Sequence, residues 1–354
     1  MLDSSTDHFA AGEGSTAAAA TKREALAGAL DTAASKLHTK AEGLSGGRLA
    51  GSGDSDVLIA RVIADQAALS AGLSGALAAL AAAGLAAVHS RHPGGADEIT
   101  CASASARDWL RFRATLEAHL PPCDVLIADH VPLLPGLFVS DMDSTMIGQE
   151  CIDELADFAG LKPQIAAITE RAMQGELDFE TALRERVRLL AGLGVDAISR
   201  CLAERIRAMP GAATLVATLK AKGCHTVLVT GGFHQFADPV AAELGFEQVV
   251  ANQLEVRGGV LTGGLVGPIV DGSVKRATLE AESARLGLGR VAGRASLATG
   301  DGANDILMIE AACYGIAYHA KPKARAAAHG WIDRGDLTNV LRLLGIVPDE
   351  WVEG

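Results

Sequence analysis

Leu137-Phe138-Val139-Ser140-Asp141-Met142-Asp143-Ser144-Thr145 is an apolar run that ends in two aspartates one residue apart. An unbroken apolar run leading into a polar loop reads as a strand buried on both faces. In an extended segment residues i and i+2 point the same way, so Asp141 and Asp143 converge on one crevice at the carboxyl edge of a sheet. A second string repeats the construction: Ser296-Leu297-Ala298-Thr299 leads into Gly300-Asp301-Gly302-Ala303-Asn304-Asp305. A helix starting near Ala303 brings Asp305, at i, i+4, back toward the strand end that carries Asp301. Four acids in one crevice repel each other and resist ionising together unless a hard divalent cation with oxygen ligands sits among them. Such a site suits magnesium and a phosphate.

Outward from these strings, residues 137–140, 226–229 and 295–299 are apolar runs, each closed by a loop bearing Gly or Asp and separated from the next by helical stretches. Residues 135–354 therefore read as an α/β domain with a doubly wound parallel sheet and a site at the strand carboxyl ends. The insertion at 151–209 reads as helices only. Ile152, Leu155, Ala156 and Ala159 keep helical spacing, as do Ile165, Ile168, Thr169 and Ala172, which predicts a helical cap over the crevice. A second insertion, 249–270, is rich in Gly and β-branched residues and reads as a hairpin around Gly258-Gly259.

Upstream, strand candidates at 57–63, 86–91, 98–102 and 125–127 alternate with helices at 66–83 and 106–120. That βαββαβ order predicts a small ferredoxin-like α+β module over 54–132, of the ACT-like shape that often binds small regulators. An amino-acid regulator such as serine, or a homodimer contact with no ligand, are both open to it. Residues 1–53, rich in Ala, Gly, Ser and Thr, read as a mobile extension with one marginal helix over 15–42.

The chain has 354 residues, long enough for about two domains, and its 49% hydrophobic content supports sizeable cores. A net charge of -12 argues against nucleic acid or an anionic membrane as the main partner. The six cysteines form no C-x-x-C pair and no zinc-like spacing with the histidines, so they read as reduced thiols. The N-terminus carries no Lys or Arg before Lys22, which is wrong for a targeting peptide, and the apolar stretch 67–88 is broken by Ser and Gly. A cytoplasmic enzyme is expected.

Three further features bear on chemistry. On a helix with Phe179, Leu183, Val187 and Leu190, a projection at about 100° per residue places Arg186 inside the apolar stripe. An inward arginine either reaches the rim or a cap carboxylate, or it clamps a substrate carboxylate with its planar fork. Thr230-Gly231-Gly232 offers a hydroxyl and close backbone approach at a strand end, although Gly-Gly there often means only a turn. Lys275 is recommended solely by its place before a helical stretch reaching the Asp301 strand.

Taken in order, D-M-D-S-T, V-T-G-G, Lys275 and G-D-G-A-N-D resemble the haloacid dehalogenase-like phosphatases. The longer strings at 141–156, 179–187, 229–233 and 300–306 are similar to the phosphoserine phosphatases within that superfamily, and the resemblance runs over 136–323. It implies Asp141 as nucleophile and Asp143 as general acid and base, with the pKa of Asp143 the higher of the two. Magnesium would be held by the Asp141 carboxylate, the Asp143 backbone carbonyl and Asp301, with Asp305 in support. Thr230, the Gly231 amide and Lys275 would hold phosphoryl oxygens, with Asn304 beside them. Glu150 would face the substrate ammonium and Arg186 its carboxylate, with Met173 and Phe179 lining the pocket. Thr230 departs from the serine of many relatives but keeps the hydroxyl. The implied reaction is hydrolysis of O-phospho-L-serine, the last step of serine biosynthesis, with phosphohomoserine and phosphothreonine as the alternative substrates. A receiver-like phospho-aspartate switch is disfavoured, because a slow switch does not need Asp143.

Overall fold

The computed structural model describes residues 57–102, 106–174, 176–288 and 294–354. The extension expected at 1–53 lies outside the described residues. The described residues open with β1 (Val57–Ile63), α1 (Gln66–Ala82), β2 (Ala87–Arg91), β3 (Asp97–Ala102), α2 (Ala106–His119) and β4 (Asp124–Ala128). These strands lie antiparallel in the order β2-β3-β1-β4, the ferredoxin-like arrangement that the element order predicts. Helix α1 begins where the Asp65 carboxylate accepts the Ala68 N–H at 3.0 Å.

The second half is built on β5 (Pro135–Ser140), β6 (His225–Phe233), β7 (Gln248–Arg257), β9 (Ala295–Gly300), β10 (Tyr314–Tyr318) and β11 (Gly330–Ile332). They pair in parallel in the order β11-β10-β9-β5-β6-β7. From β5 the chain winds one way to β6 and β7, then returns past β5 to β9, β10 and β11. The direction reverses between β5 and β9, and that is where a doubly wound sheet opens its crevice. Leu137, Val139, Val227 and Val229 pack with Leu279 and Met308 on one face. Phe138 and Leu228 pack with Leu215, Leu219 and Phe236 on the other. The alternation of a two-residue period thus buries both sides of the sheet, as the apolar runs require. The helices that cover it are α7 (Ala212–Ala221), α8 (His234–Leu244), α9 (Gly272–Arg285), α10 (Ile306–Ala311), α11 (Pro322–Ala327) and α12 (Thr338–Leu344).

Four helices fill the first insertion: α3 (Cys151–Phe158), α4 (Lys162–Met173), α5 (Phe179–Leu189) and α6 (Val195–Arg205). The second insertion is narrower than 249–270. The first part of β7 belongs to the parallel sheet, pairing Gln248, Val249 and Val250 with β6, and only the rest forms a hairpin with β8 (Val260–Val266). Gly258 and Gly259 turn it with φ of 60° and 79°, values that suit a two-residue hairpin turn and favour glycine at both positions. The hairpin also grips the cap: Gly192 N–H donates to Leu261 O, Leu261 N–H to Leu193 O and Val195 N–H to Gly259 O, at 2.8, 2.8 and 3.0 Å.

One connection is absent from the sequence pattern. The first module does not stand apart, because β4 pairs antiparallel with β11 through Leu126–Gly330 and Val125–Trp331, giving one 11-stranded sheet. Trp331 is buried in the module's core cluster and donates its indole N–H to Cys123 O at 3.0 Å. Asp124, 1% exposed, accepts the N–H groups of Asp333, Arg334 and Gly335 and the Asn339 amide, all between 2.7 and 2.9 Å. All six cysteines are free thiols, and five are buried. Among the described residues no helix is long and apolar enough to cross a membrane.

Candidate active site

Asp141 leaves the end of β5 with its N–H on Thr299 O of β9 at 3.0 Å, so the first acid string is stitched to the second at the switch point. Ser140 and Thr299 share a hydroxyl hydrogen bond of 2.8 Å just beneath. After Asp301, residues 303–305 form a 3-10 turn that runs into α10, and Asp305 folds back as its spacing predicts. Its Oδ2 accepts the N–H groups of Asp301 and Gly302 at 3.2 and 2.9 Å. Gly300 permits that return, since a Cβ there would lie 2.5 Å from the Asp305 Cβ.

Carboxylate oxygens of Asp141, Asp301 and Asp305 lie within 4.8 Å of one another. Lys275, 1% exposed, reaches from α9 to Oδ1 of both Asp141 and Asp305 at 2.7 Å. Met142 N–H also donates to Asp141 Oδ1, at 2.7 Å, and among the described residues Oδ2 accepts no hydrogen bond. The Asp143 carboxylate is outside that trio. Its Oδ2 accepts Cys151 N–H at 3.4 Å, and its Oδ1 is buried without a partner.

Burial pushes the Asp141 carboxyl well above the usual range; Asp305 adds to the push and Lys275 opposes it. Asp143 is pushed up to about 7, by burial first and by Glu150 next. Asp301 is raised by burial and by Asp305, against Lys321. Burial would lower the Lys275 pKa, but Asp141 and Asp305 outweigh it and the net shift is upward. The expected ordering, with Asp143 the weaker acid of the pair, is therefore not a property of the carboxylates alone, because both are raised. A positive charge among Asp141, Asp301 and Asp305 is what would separate them.

The remaining predicted residues converge on the same pocket, of about 420 Å³: Glu150, Phe179, Arg186, Thr230, Gly231 and Asn304 all line it. Thr230 to Gly232 fall where the ladder from β6 to β7 loses register, between Val229 and Phe233. Thr230 Oγ1 accepts Gly232 N–H at 2.9 Å, while Asn252 pins Gly231 O at 2.8 Å. Phe179 spans cap and core, since a Cβ on Gly231 would stand 3.3 Å from its ring. Glu150 precedes α3 without capping it and instead accepts the Ser144 hydroxyl at 2.8 Å. Arg186 donates Nε to Ala182 O, and no carboxylate among the described residues lies within ion-pair distance of it. Burial lowers its pKa, while Asp153, Glu150 and Asp143 oppose the shift. The Met173 side chain is outside the described set. Sequence reasoning missed Asn252 and Lys321. Asn252 is a buried amide whose place only the fold explains, and Lys321 carries no mark in the sequence to separate it from an ordinary surface lysine.

A switch-point crevice with an unpartnered Asp143 oxygen, a lysine-clamped carboxylate and a roofing cap is the arrangement of a haloacid dehalogenase-like hydrolase. The haloacid dehalogenase-like hydrolase family matches residues 138–310. A phosphoserine phosphatase of Polaromonas sp. (strain JS666) is 44% identical over 213 residues, 59% of this chain and 89% of that protein. The structure of a probable phosphoserine phosphatase from Vibrio cholerae superposes with a TM-score of 0.62 at 31% identity, covering 83% of this chain and 88% of that one. A substrate-bound phosphoserine phosphatase complex superposes with a TM-score of 0.54 at 35% identity, over 59% and 97%. The chain belongs to the phosphoserine phosphatase family of the haloacid dehalogenase-like hydrolases.

Proposed function

We propose that the chain hydrolyses O-phospho-L-serine to L-serine and inorganic phosphate, closing serine biosynthesis, with Asp141 as the phosphoryl acceptor. The observation that carries this reading is the convergence of Asp141, Asp143, Glu150 and Arg186 on one pocket. Lys275 and the Met142 N–H hold one oxygen of Asp141 and orient the other. That second oxygen attacks phosphorus as the bond from phosphorus to the serine oxygen breaks. Asp143, with a carboxyl near neutrality in pKa and an unpartnered oxygen, protonates the leaving alkoxide. It then takes a proton from the water that attacks the aspartyl phosphate, which releases phosphate and restores Asp141. Thr230, the Gly231 amide, Lys275 and Asn304 surround the transferring oxygens. Glu150 faces the substrate ammonium and Arg186 its carboxylate, each a complementary charge in a partly desolvated pocket.

The clustered carboxylates are hard oxygen donors suited to magnesium, which Asp141, Asp301 and the Asp143 carbonyl would hold while Asp305 braces Asp301 from behind. When bound, the ion supplies charge neutralisation for the carboxylates and the phosphate. The amino-acid regulator and the homodimer contact belong to the 54–132 module on this reading, and the compartment is the cytoplasm. Comparing kcat/KM for phosphoserine, phosphothreonine, phosphohomoserine and a sugar phosphate, with and without magnesium, tests the substrate. A preference for the sugar phosphate would remove the roles given to Glu150 and Arg186.

A further inference from the structure

Lys321 is a pocket cation that the proposed mechanism leaves idle. It lines the pocket with Asp141, Arg186 and Asn304, yet it enters from the core, whereas Arg186 enters from cap helix α5. Its backbone is anchored. The Lys321 N–H donates to Asp301 O at 2.9 Å, and Pro322 follows as the first residue of α11. Two residues earlier His319 takes a left-handed φ of 41°, held by its N–H on Ile332 O at 2.8 Å and its ring Nε2 on Gly335 O at 3.0 Å. A non-glycine residue in that region persists where its surroundings enforce it. The side chain is 68% exposed, and its ammonium stands 3.2 Å from Asp301 Oδ2, its single ion pair among the described residues.

Asp301 is one of the three carboxylates drawn together at the switch point. A carboxylate that takes up a divalent cation has little attraction left for an ammonium, because the cation's charge dominates the local field. Lys321 is then a tethered positive charge beside the phosphoryl acceptor, on the wall that Arg186 does not occupy. The strongest anion to arrive there is a phosphate group, and a compact ammonium suits it as a point charge. We infer that Lys321 is a substrate-binding residue that contacts the non-bridging oxygens of the substrate phosphoryl group and of the phosphate product. The inference rests on Asp141 being the acceptor.

The test is calorimetric titration of the full-length magnesium-loaded protein with inorganic phosphate and, separately, with L-serine. Lys321→Met should weaken phosphate binding about tenfold, the loss of one charge-assisted hydrogen bond, while Lys321→Arg stays within about threefold of the unaltered protein. Serine binding should move in neither variant. A Lys321→Met protein that binds phosphate within about twofold of the unaltered one overturns the inference, as does a loss seen with serine instead, or an arginine variant as weak as the methionine one. Failure of the unaltered protein to bind phosphate overturns the active-site reading as well, so the two failures are told apart.

Discussion

Lys275 stands midway between Asp141 and Asp305, 2.7 Å from Oδ1 of each, with all three side chains buried. Removing the lysine strands two carboxylates in a desolvated site. Lys275→Met should cost about 3–5 kcal/mol in urea unfolding and abolish turnover. A variant of unaltered stability would mean the carboxylates are compensated in some other way.

Asp141→Asn removes one of the two acids that share Lys275 and keeps the side-chain volume, so the fold should survive. Radiolabelled phosphoserine, quenched in steady state, should leave label on the unaltered protein and none on the variant. Label on Asp141→Asn would place the acceptor elsewhere.

Among the described residues Arg186 has no carboxylate partner to strand, so Arg186→Ala should act on substrate and not on stability. The expected loss in kcat/KM for phosphoserine is about 10-fold to 100-fold, against little change for an aryl phosphate that lacks a carboxylate. An equal loss on both substrates would assign Arg186 to the phosphate.

Asp124 collects four N–H donors from the segment after β11. Asp124→Ala leaves the buried Asn339 amide and three part-buried N–H groups without their acceptor and should cost about 2–4 kcal/mol. Calorimetry should show one unfolding transition in both proteins, because module and core share a sheet. Two transitions would mean that the junction between β4 and β11 is not cooperative.

His329, edge-on to Trp109 at 6.0 Å and accepting Gly315 N–H at 3.1 Å, has its pKa lowered to about 4, chiefly by burial. The unfolded chain then binds the proton more readily than the native one. The contribution of His329 to stability is complete above about pH 6.5 and is lost as pH falls toward 4. Replacing it with Gln should flatten that part of the stability profile, as followed by thermal denaturation from neutral to acid pH. An unchanged slope would assign the acid sensitivity to other groups.

The acid strings are legible because the physics behind them is local: an apolar strand, a two-residue alternation, a helical return. The inward placement of Arg186 is legible for the same reason, from helical phase alone. Short β11 and its pairing with β4 are not, since an edge-to-edge ladder is written in backbone groups that every residue carries. Lys321 is hidden because its placement comes from Asp301 and, through His319, from Ile332 and Gly335, which only the fold brings near. The relative acidity of Asp141 and Asp143 is equally out of reach of spacing, because it depends on the charge placed among the trio. The Met173 side chain and the extension at 1–53 lie outside the described residues.

The junction of β4 with β11 has a mechanical consequence. Strands β2 and β8 are the two margins of one plank of backbone, so the module at one margin lacks the loose strap on which a swinging arm depends. The backbone ladder runs without a break from β2 through β3, β1, β4, β11 and β10 to β9, the strand that leads into Asp301, so the module and that carboxylate ride on one twisted surface.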